Sequence, residues 1–322
     1  MRAITQNTYG SPGDVLVLSD IAVPVIRDDE VLVEVHAAAV SGDDWHLMRG
    51  EPYAARLATG LRKPKHRVPG RDVAGRVRAI GSAVTALRPG DEVFGWCDGA
   101  FAEHVAVPAG QLVVKPTNLT LEQAAVVPIS GFTALQAVRD VGRVKPGHHV
   151  LVIGASGGVG TFAVQIAKAF GASVTGVCST TNTDLVRSIG ADHVVDYTLE
   201  DFAQHSQRYD VIIDLVGNRS LSDLRRALAR RGTLVLVGGT GGRWFKGTHR
   251  FFGALVVSPF VRQRLRPLIH QDRKSDLATL KVLIEAGKLS PVVSAYFSLA
   301  ELPEATRHFA QGHARGKIAI TV

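Results

Sequence analysis

One stretch of the chain has residue types that suit the binding of a phosphate group. A short apolar run at residues 150–153 ends at Gly154, and further glycines follow before apolar residues return at helical spacing. A glycine-rich turn between a buried strand and a helix lets the backbone approach a pyrophosphate, and the free N–H groups of the helix start face its charge. We predict that a dinucleotide binds at this turn through Ser156, Gly157, Gly158, Val159 and Gly160.

The turn departs from the usual G-x-G-x-x-G spacing at its first glycine. Gly154 stands one place early, and Ala155 occupies the expected position. A glycine pattern alone is weak evidence, because an ordinary tight turn between a strand and a helix has a similar composition. A second strand at residues 173–178 follows at the distance that a nucleotide-binding unit requires, and this context favours the cofactor site.

The residues after the second strand bear on which nicotinamide nucleotide is bound. NAD-preferring folds place an acid there to hold the ribose 2'-hydroxyl, whereas this chain offers Ser179, Thr180 and Asn182. With no carboxylate to repel a 2'-phosphate, NADPH is favoured, and NADH is the alternative because residues 179–182 contain no lysine or arginine. Three glycines at later strand ends should flank the nicotinamide and ribose, namely Gly217, Gly238 and Gly239.

The elements that must position this turn change in character along the chain. Up to about residue 120, short strands broken by Pro-Gly turns predict a mostly antiparallel barrel-like domain with no helix of any length and a long insert at residues 41–69. Strands and helices then alternate, which predicts a doubly wound parallel sheet of about six strands that includes residues 254–257. A closing strand at residues 316–322 should return to the barrel. The predicted class is α/β, with one domain at 1–122 and 259–322 and a nucleotide-binding domain at 123–258.

Composition suits a two-domain protein with ordinary cores. The 322 residues are 46% hydrophobic and 20% charged. The sequence suggests neither a signal peptide nor a membrane span, and its only cysteines are Cys97 and Cys178, so we expect a cytoplasmic protein without disulfides or structural zinc. The formal charge of +8 comes from basic clusters in three separate places, which favours solvated surfaces and attraction for an anionic cofactor over nucleic-acid binding.

Taken together, the motifs resemble those of one enzyme superfamily along nearly the whole chain. In chain order they are AVSGDDWHLMRGEPY, PGRDVAGRV, RPGDEVFG, GAFAEHVAVP, VPISGFTALQAV, GASGGVGTFAVQIAKAFGA, GADHVVDY and GHARGKIAITV. This combination is similar to the medium-chain dehydrogenase/reductase superfamily, in its zinc-free quinone oxidoreductase (zeta-crystallin-like) branch. The resemblance implies a GroES-like catalytic domain, a Rossmann domain, NADPH, and hydride transfer to a quinone or an α,β-unsaturated carbonyl.

The resemblance also bears on metal, because the alcohol dehydrogenase branch holds a catalytic zinc with Cys, His and Cys. The matching positions here are Ser41, Arg71 and Ser130, and no lobe with four cysteines exists. These side chains cannot supply a tetrahedral zinc site, so we expect no metal. Without a Lewis acid, reduction of a simple ketone loses several kcal/mol of transition-state stabilisation, whereas a conjugated acceptor is already electron-poor.

Candidates for the reacting end are less well specified than those for the cofactor. Tyr53 could donate a hydrogen bond to a flat substrate, stack on it, or simply pack in the core. No acid–base pair emerges, so we name no general acid and expect bulk water to protonate the product. Asp44 is expected to hydrogen-bond its own loop. By the resemblance, Tyr197 and Lys317 match positions near the cofactor. The candidate cleft residues are Ser41, Asp43, Tyr53, Ser130 and Thr133.

Two other functions compete with a reductase. A non-catalytic NADPH-binding redox sensor or crystallin-like protein would account for the missing acid–base set, and zinc-type alcohol oxidation is a less favoured third reading. We expect a small-molecule quinone or enone as the partner, with no nucleic acid and no membrane. We also expect a homodimer, because an apolar strand at residues 254–257 could extend the sheet across a two-fold axis.

Overall fold

The chain forms two compact units in the computed structural model, which describes residues 1–238, 249–312 and 315–322. The mixed-sheet unit comprises Met1–Ser130, Asp272–Glu285 and Pro291–Val322. The parallel-sheet unit comprises Gly131–Gln271 and Ala286–Ser290. Both cysteines are free and buried. In the described parts of the chain, no helix has the length and apolar character needed to cross a membrane.

The mixed-sheet unit begins with seven strands that are mostly antiparallel. They are β1 (Arg2–Thr5), β2 (Val17–Asp20), β3 (Glu30–Val40), β4 (Asp72–Ile80), β5 (Glu92–Trp96), β6 (His104–Pro108) and β7 (Leu112–Val114). The helices of this part are α1 (Pro12–Val15), α2 (Gly42–Arg49), α3 (Arg56–Thr59) and α4 (Leu121–Ala125). Helix α5 (Pro128–Leu135) leads into the parallel-sheet unit, which begins at Gly131, and a π-helical turn, Gln136–Val141, continues it there. Strand β3 is the centre of the main sheet, because it pairs with both β4 and β6.

The parallel-sheet unit is the doubly wound sheet that the alternating pattern predicts. Its strands are β8 (His149–Ile153), β9 (Ser173–Cys178), β10 (His193–Asp196), β11 (Tyr209–Asp214), β12 (Leu228–Leu236) and β13 (Arg264–Pro267), and its helices are α6 (Gly158–Ala169), α7 (Thr183–Ser188), α8 (Leu221–Ala227) and α9 (His249–Val257). The spatial order is β10-β9-β8-β11-β12-β13. The chain winds outward from β8 in both directions, so the switch point, where ligands bind in such sheets, lies at the carboxyl end of β8.

The C-terminal part supplies α10 (Lys274–Glu285), β14 (Val293–Ser298), α11 (Leu302–Ala310) and β15 (Lys317–Thr321). Strand β15 lies antiparallel to β3, with Ile318 opposite Val40, and parallel to β14. The closing strand therefore returns to the first sheet, as the sequence predicts.

Two predictions about local structure are wrong. Residues 254–257 belong to helix α9 and not to a strand, and the sixth strand is β13, beyond residue 258. The apolar run extends back to Phe251, which gives it the length of a helix, and Ala254 is fully buried while Leu255 and Val256 are exposed. The insert at residues 41–69 contains the eight-residue helix α2, although no helix was expected there.

An ion pair in the mixed-sheet unit is almost completely buried. The Lys317 ammonium at the start of β15 lies 2.9 Å from Oδ2 of Asp72 at the start of β4, and the two side chains are 3% and 0% exposed. The other oxygen of Asp72 accepts a hydrogen bond from the backbone N–H of Ile129 at 2.8 Å. Burial raises the pKa of Asp72, and the charge of Lys317 opposes this rise.

We predict that Lys317→Met lowers the free energy of unfolding by about 3–5 kcal/mol, because it leaves the buried Asp72 carboxylate without its cation. Urea denaturation at pH 7 measures the change. The matched control is Arg76→Met, which breaks an exposed pair with Glu92 (3.3 Å; side chains 55% and 39% exposed) and should cost at most about 1 kcal/mol. Equal small losses in both variants would contradict the structural role of Lys317.

Candidate cofactor and reaction site

The glycine turn joins β8 to α6 with no room for a side chain at one position. Gly154 has a φ of 86°, and Gly157 is the N-cap residue of α6. A Cβ atom at Gly160 would lie 2.1 Å from the carbonyl oxygen of Gly154, so only glycine allows this approach of the helix to the turn. No side chain caps the helix, which leaves the N–H groups of its first turn available to an anion. Residues 156–159 are partly exposed, as a ligand contact requires.

Ala155 stands where the first glycine is expected, and a glycine in the neighbouring strand β9 leaves space for its methyl group. Ala155 is fully buried, and its backbone N–H donates to the carbonyl of Val177 at 3.0 Å. A Cβ atom on Gly176 would lie 3.0 Å from Cβ of Ala155 and 2.4 Å from a methyl group of Val186. The sequence analysis missed Gly176, although a glycine inside a strand is a signal of close approach.

The polar groups after β9 form a small hydrogen-bonded set. The Asn182 side-chain amide donates to Oγ of Ser179 at 3.1 Å. Asn182 Oδ1 is buried and has no hydrogen-bond partner among the described residues. Tyr197 lies next to this set, because its N–H donates to the carbonyl of Cys178 at 3.1 Å, and the residue is 57% exposed. The predicted 2'-phosphate residues and Tyr197 therefore lie together at the carboxyl ends of β9 and β10.

A carboxylate that the sequence analysis missed also lies at this end of the sheet. Asp196, the last residue of β10, accepts hydrogen bonds from the N–H and the hydroxyl of Thr198, the latter at 2.7 Å. The Thr198 hydroxyl lies 3.0 Å from that of Thr180. Because Thr198 uses its proton on Asp196, the Thr180 hydroxyl donates to Thr198 or to Asp196, and in either case it offers a ligand only its lone pairs. Hydrogen bonds from Thr180 and Thr198 hold the pKa of Asp196 below its ordinary value.

The loop after β11 is held by a buried acid. Asp214 is fully buried, and its Oδ1 accepts the N–H of Gly217 at 2.9 Å. Its Oδ2 accepts from Nη2 of Arg250 at 2.7 Å. A Cβ atom on Gly238 would lie 2.0 Å from the carbonyl oxygen of Leu215, so that position also requires glycine. Gly239 lies outside the described residues.

Ser41 begins helix α2 and shares a capping box with Asp44. The Ser41 hydroxyl lies 2.5 Å from Asp44 Oδ2, which also accepts the N–H of Ser41 at 2.9 Å. Asp44 thus hydrogen-bonds its own loop, as predicted. Burial raises the pKa of Asp44 to about 7, against the lowering effect of the Ser41 hydrogen bond. Asp44 Oδ1 is buried without a hydrogen-bond partner among the described residues.

The other candidates for the reacting end are divided between the two units. Asp43, Tyr53 and Ser130 belong to the mixed-sheet unit and Thr133 to the parallel-sheet unit. Ser130 and Thr133 are buried and lie three residues apart on α5, on one face of the helix. The guanidinium group of Arg56 lies 4.6 Å from the ring centre of Tyr53, which is partly exposed.

The positions that match zinc ligands in the alcohol dehydrogenase branch do not suit zinc. The Ser41 hydroxyl is engaged with Asp44, and the Arg71 guanidinium forms an ion pair with Asp272 in the mixed-sheet unit. Across residues 1–238, 249–312 and 315–322, no cluster of three or more His, Cys, Asp or Glu side chains could hold a metal ion. A hydroxyl, a guanidinium cation and a second hydroxyl at these positions are not zinc ligands.

Comparisons with known proteins agree with this architecture. The profile of the alcohol dehydrogenase GroES-like domain matches residues 27–117, and that of the zinc-binding dehydrogenases matches residues 189–320. The human mitochondrial NAD(P)H oxidoreductase RTN4IP1 is 33% identical over 370 residues, which cover all of this chain and 89% of that protein. The chloroplastic NADPH-dependent alkenal/one oxidoreductase of Arabidopsis thaliana is 33% identical, with 99% and 79% covered.

The solved structure of the quinone oxidoreductase from Coxiella burnetii superimposes with a TM-score of 0.84 at 31% identity. The match covers 100% of this chain and 99% of that one. The GroES-like and Rossmann-type domains expected from the motifs are thus confirmed. The chain belongs to the medium-chain dehydrogenase/reductase superfamily, in its quinone oxidoreductase branch, whose members are oxidoreductases that use a nicotinamide cofactor.

Proposed function

We propose that this oxidoreductase transfers a hydride from NADPH to a quinone or to an α,β-unsaturated carbonyl without zinc. The proposal is carried by the occurrence of two features in one chain. The start of α6 is uncapped and lined with glycines, and the side chains at positions 41, 71 and 130 cannot bind a metal. When bound, the reduced nicotinamide supplies the hydride. The residues at the turn hold the pyrophosphate, and Asp214 fixes the Gly217 loop beside it.

The proposed acceptor class follows from the charge that hydride transfer creates. An isolated carbonyl concentrates this charge on one oxygen, where a Lewis acid contributes several kcal/mol. A quinone or enone spreads the charge by conjugation, so positioning and hydrogen-bond donors suffice. The printed names of an alkenal/one reductase and a quinone oxidoreductase among the similar proteins support this class.

Ser41 and Asp44 are a proposed source of the proton that follows the hydride. The Ser41 hydroxyl donates to Asp44, whose pKa of about 7 lets its carboxyl hold a proton near neutral pH. When Asp44 is protonated, its carboxyl donates to Oγ of Ser41, and the Ser41 hydroxyl passes its own proton to a product oxygen or carbon in place of bulk water, which leaves Asp44 ionised.

Location and assembly are further proposals. A cytoplasmic location was expected from the sequence, whereas the similar proteins include mitochondrial and chloroplastic ones. The homodimer was expected from a strand that is helix α9, so its original basis is gone. A mass from light scattering tests the dimer independently of any assumed interface.

The first test of the proposed activity is a panel of acceptors. We expect steady NADPH oxidation with 9,10-phenanthrenequinone, 1,4-benzoquinone or a 2-alkenal, and a rate at least about 100-fold lower with a saturated ketone, because the ketone lacks conjugation. A chelator should leave the rate unchanged. NADPH binding with no turnover of any acceptor would favour a redox sensor, and loss of activity with the chelator would favour a zinc enzyme.

The second test concerns cofactor preference. Asp196 is linked to Thr180 by hydrogen bonds through the hydroxyl of Thr198. Asp196→Asn removes the negative charge of this side chain and keeps its Oδ1 acceptor. We expect the affinity for NADPH to rise by about 3- to 10-fold, because a 2'-phosphate is no longer repelled, with little change for NADH. Fluorescence titration measures both dissociation constants. Asp184→Asn, at an acid whose side chain is 98% exposed, is the charge-matched control. An equal rise in both variants would mean that only the net charge matters.

The third test uses the pKa of Asp44. The folded state binds the proton of Asp44 up to about pH 7 and the unfolded state only up to about its ordinary value of 3.8, so stability falls as pH rises between these values. Asp44→Asn cannot ionise. We expect its unfolding free energy relative to wild type to rise by about 2–4 kcal/mol from pH 4 to pH 8. Urea denaturation measures this, with Asp184→Asn as the control. A flat difference would show that Asp44 is ionised throughout and cannot hold the proposed proton.

A further inference from the structure

The parallel-sheet unit has an open groove that the proposed reaction does not use. Its volume is about 430 Å³, within the range of small-molecule sites. It lies where the end of the π-helical turn meets edge strand β13. We call it the arginine groove, and its lining residues are Asp140, Val141, Arg143, Arg264, Arg266 and Pro267.

The alternation of strand β13 explains why two of the arginines share the groove. Leu265 is fully buried on one face of the sheet, so Arg264 and Arg266 both project from the other face, where they are exposed. Arg143 approaches from the π-helical turn. It is the only non-glycine residue with a positive φ in the described chain, at 50°. Such a position favours glycine, so the backbone holds this arginine at the groove in spite of the strain.

The charge of the groove is uncompensated. The side chains of Arg143, Arg264 and Arg266 have no hydrogen-bond or ion-pair partner among the described residues. The only acid of the lining, Asp140, is engaged by Arg139 through both oxygens, at 2.5 and 2.9 Å. Three guanidinium groups therefore face one groove whose only acid is already paired with Arg139.

The groove is separate from the glycine turn. Strand β13 lies three strands from β8, which corresponds to roughly 14 Å across the sheet. Arg264 pairs with Thr233, which is level with Val211 and Val150 near the amino ends of the strands, whereas the glycine turn follows their carboxyl ends. A cofactor at the turn does not need the arginine groove.

We propose that the arginine groove binds a small anion with two or more phosphate or carboxylate groups while the cofactor site is occupied. Guanidinium groups match phosphate and carboxylate oxygens with paired hydrogen bonds, and three of them around one groove suit a ligand of at least two negative charges. The ligand has the chemistry of a pyrophosphate-containing or polycarboxylate metabolite.

Calorimetric titration of the NADPH-saturated protein tests the proposal, with inorganic pyrophosphate and citrate as the two probes. We expect saturable 1:1 binding of at least one probe, and the stronger one shows whether phosphate or carboxylate is preferred. The double variant Arg264→Gln, Arg266→Gln should weaken this binding by about 10- to 100-fold. The control Arg230→Gln, Arg231→Gln makes the same charge change at two exposed arginines of β12 outside the groove and should alter it by less than about twofold.

The affinity for NADPH and the turnover of a quinone should be unchanged in both double variants, which shows that they are folded and that the cofactor site is separate. If the glutamine pair does not fold, Arg264→Lys with Arg266→Lys keeps the charge but loses the paired hydrogen bonds, and should weaken binding by about 3- to 10-fold.

Four outcomes would overturn the proposal. They are the absence of saturable binding to wild type, equal weakening in the groove and control variants, unchanged affinity in the lysine pair, and displacement of NADPH by the probe. A dimer that forms without any anion and that the glutamine pair abolishes would show that a second copy of the chain occupies the groove.

Discussion

The contact between Gly160 and the carbonyl of Gly154 is the constraint from which the cofactor site follows. A Cβ atom at Gly160 would lie 2.1 Å from the carbonyl oxygen of Gly154, so helix α6 starts directly at the end of strand β8 without space for a methyl group. The first turn of the helix then opens at the switch point of the parallel sheet, where β9 and β11 diverge from β8. The same crowding extends sideways, because Ala155 needs Gly176 in β9, and Gly176 in turn admits Val186 of α7. One backbone approach thus fixes two strands and two helices.

Buried carboxylates at strand ends do the corresponding work for the loops. Asp214 ends β11 and orders the Gly217 loop through its N–H, while Arg250 compensates its charge. Asp196 ends β10 and orders Thr198, and through it the hydroxyl of Thr180. In both cases an acid converts a flexible strand end into a loop with fixed donors and acceptors. The direction of each hydroxyl hydrogen bond then determines whether a ligand finds a donor or an acceptor. The Thr180 hydroxyl proton is used within the protein, so Thr180 presents an acceptor to a ligand.

The sequence predicted most of the fold because the strong signals are local. The strands at residues 173–178 and 193–196 end where predicted, since continuous apolar runs between turn residues identify buried strands. Residues 254–257 were misassigned because four apolar residues fit a strand or a buried helix equally well, and only burial on one side distinguishes them. The role of Asp196 could not be predicted, because it depends on Thr198 meeting a residue 18 positions earlier in the chain. Lys317 lies in a recognisable motif, yet its pairing with Asp72 spans 245 positions.

The mixed-sheet unit shows how a set of carboxyl groups is balanced at positions where related enzymes place zinc ligands. Asp44, Asp72 and Asp272 lie on or near the segments that carry residues 41, 71 and 130. Two cations compensate two of them, Arg71 for Asp272 and Lys317 for Asp72. Burial raises the pKa of Asp44 to about 7, and the charges of Asp72 and Lys317 also act on it, but no cation among the described residues is paired with it. Below about pH 7 the third compensating charge is a proton on Asp44, whose carboxyl shares a hydrogen bond with the Ser41 hydroxyl. A proton on Asp44 can be exchanged, whereas the Arg71 and Lys317 side chains are fixed parts of the chain, and we therefore propose Asp44 as the member of this set that takes part in chemistry.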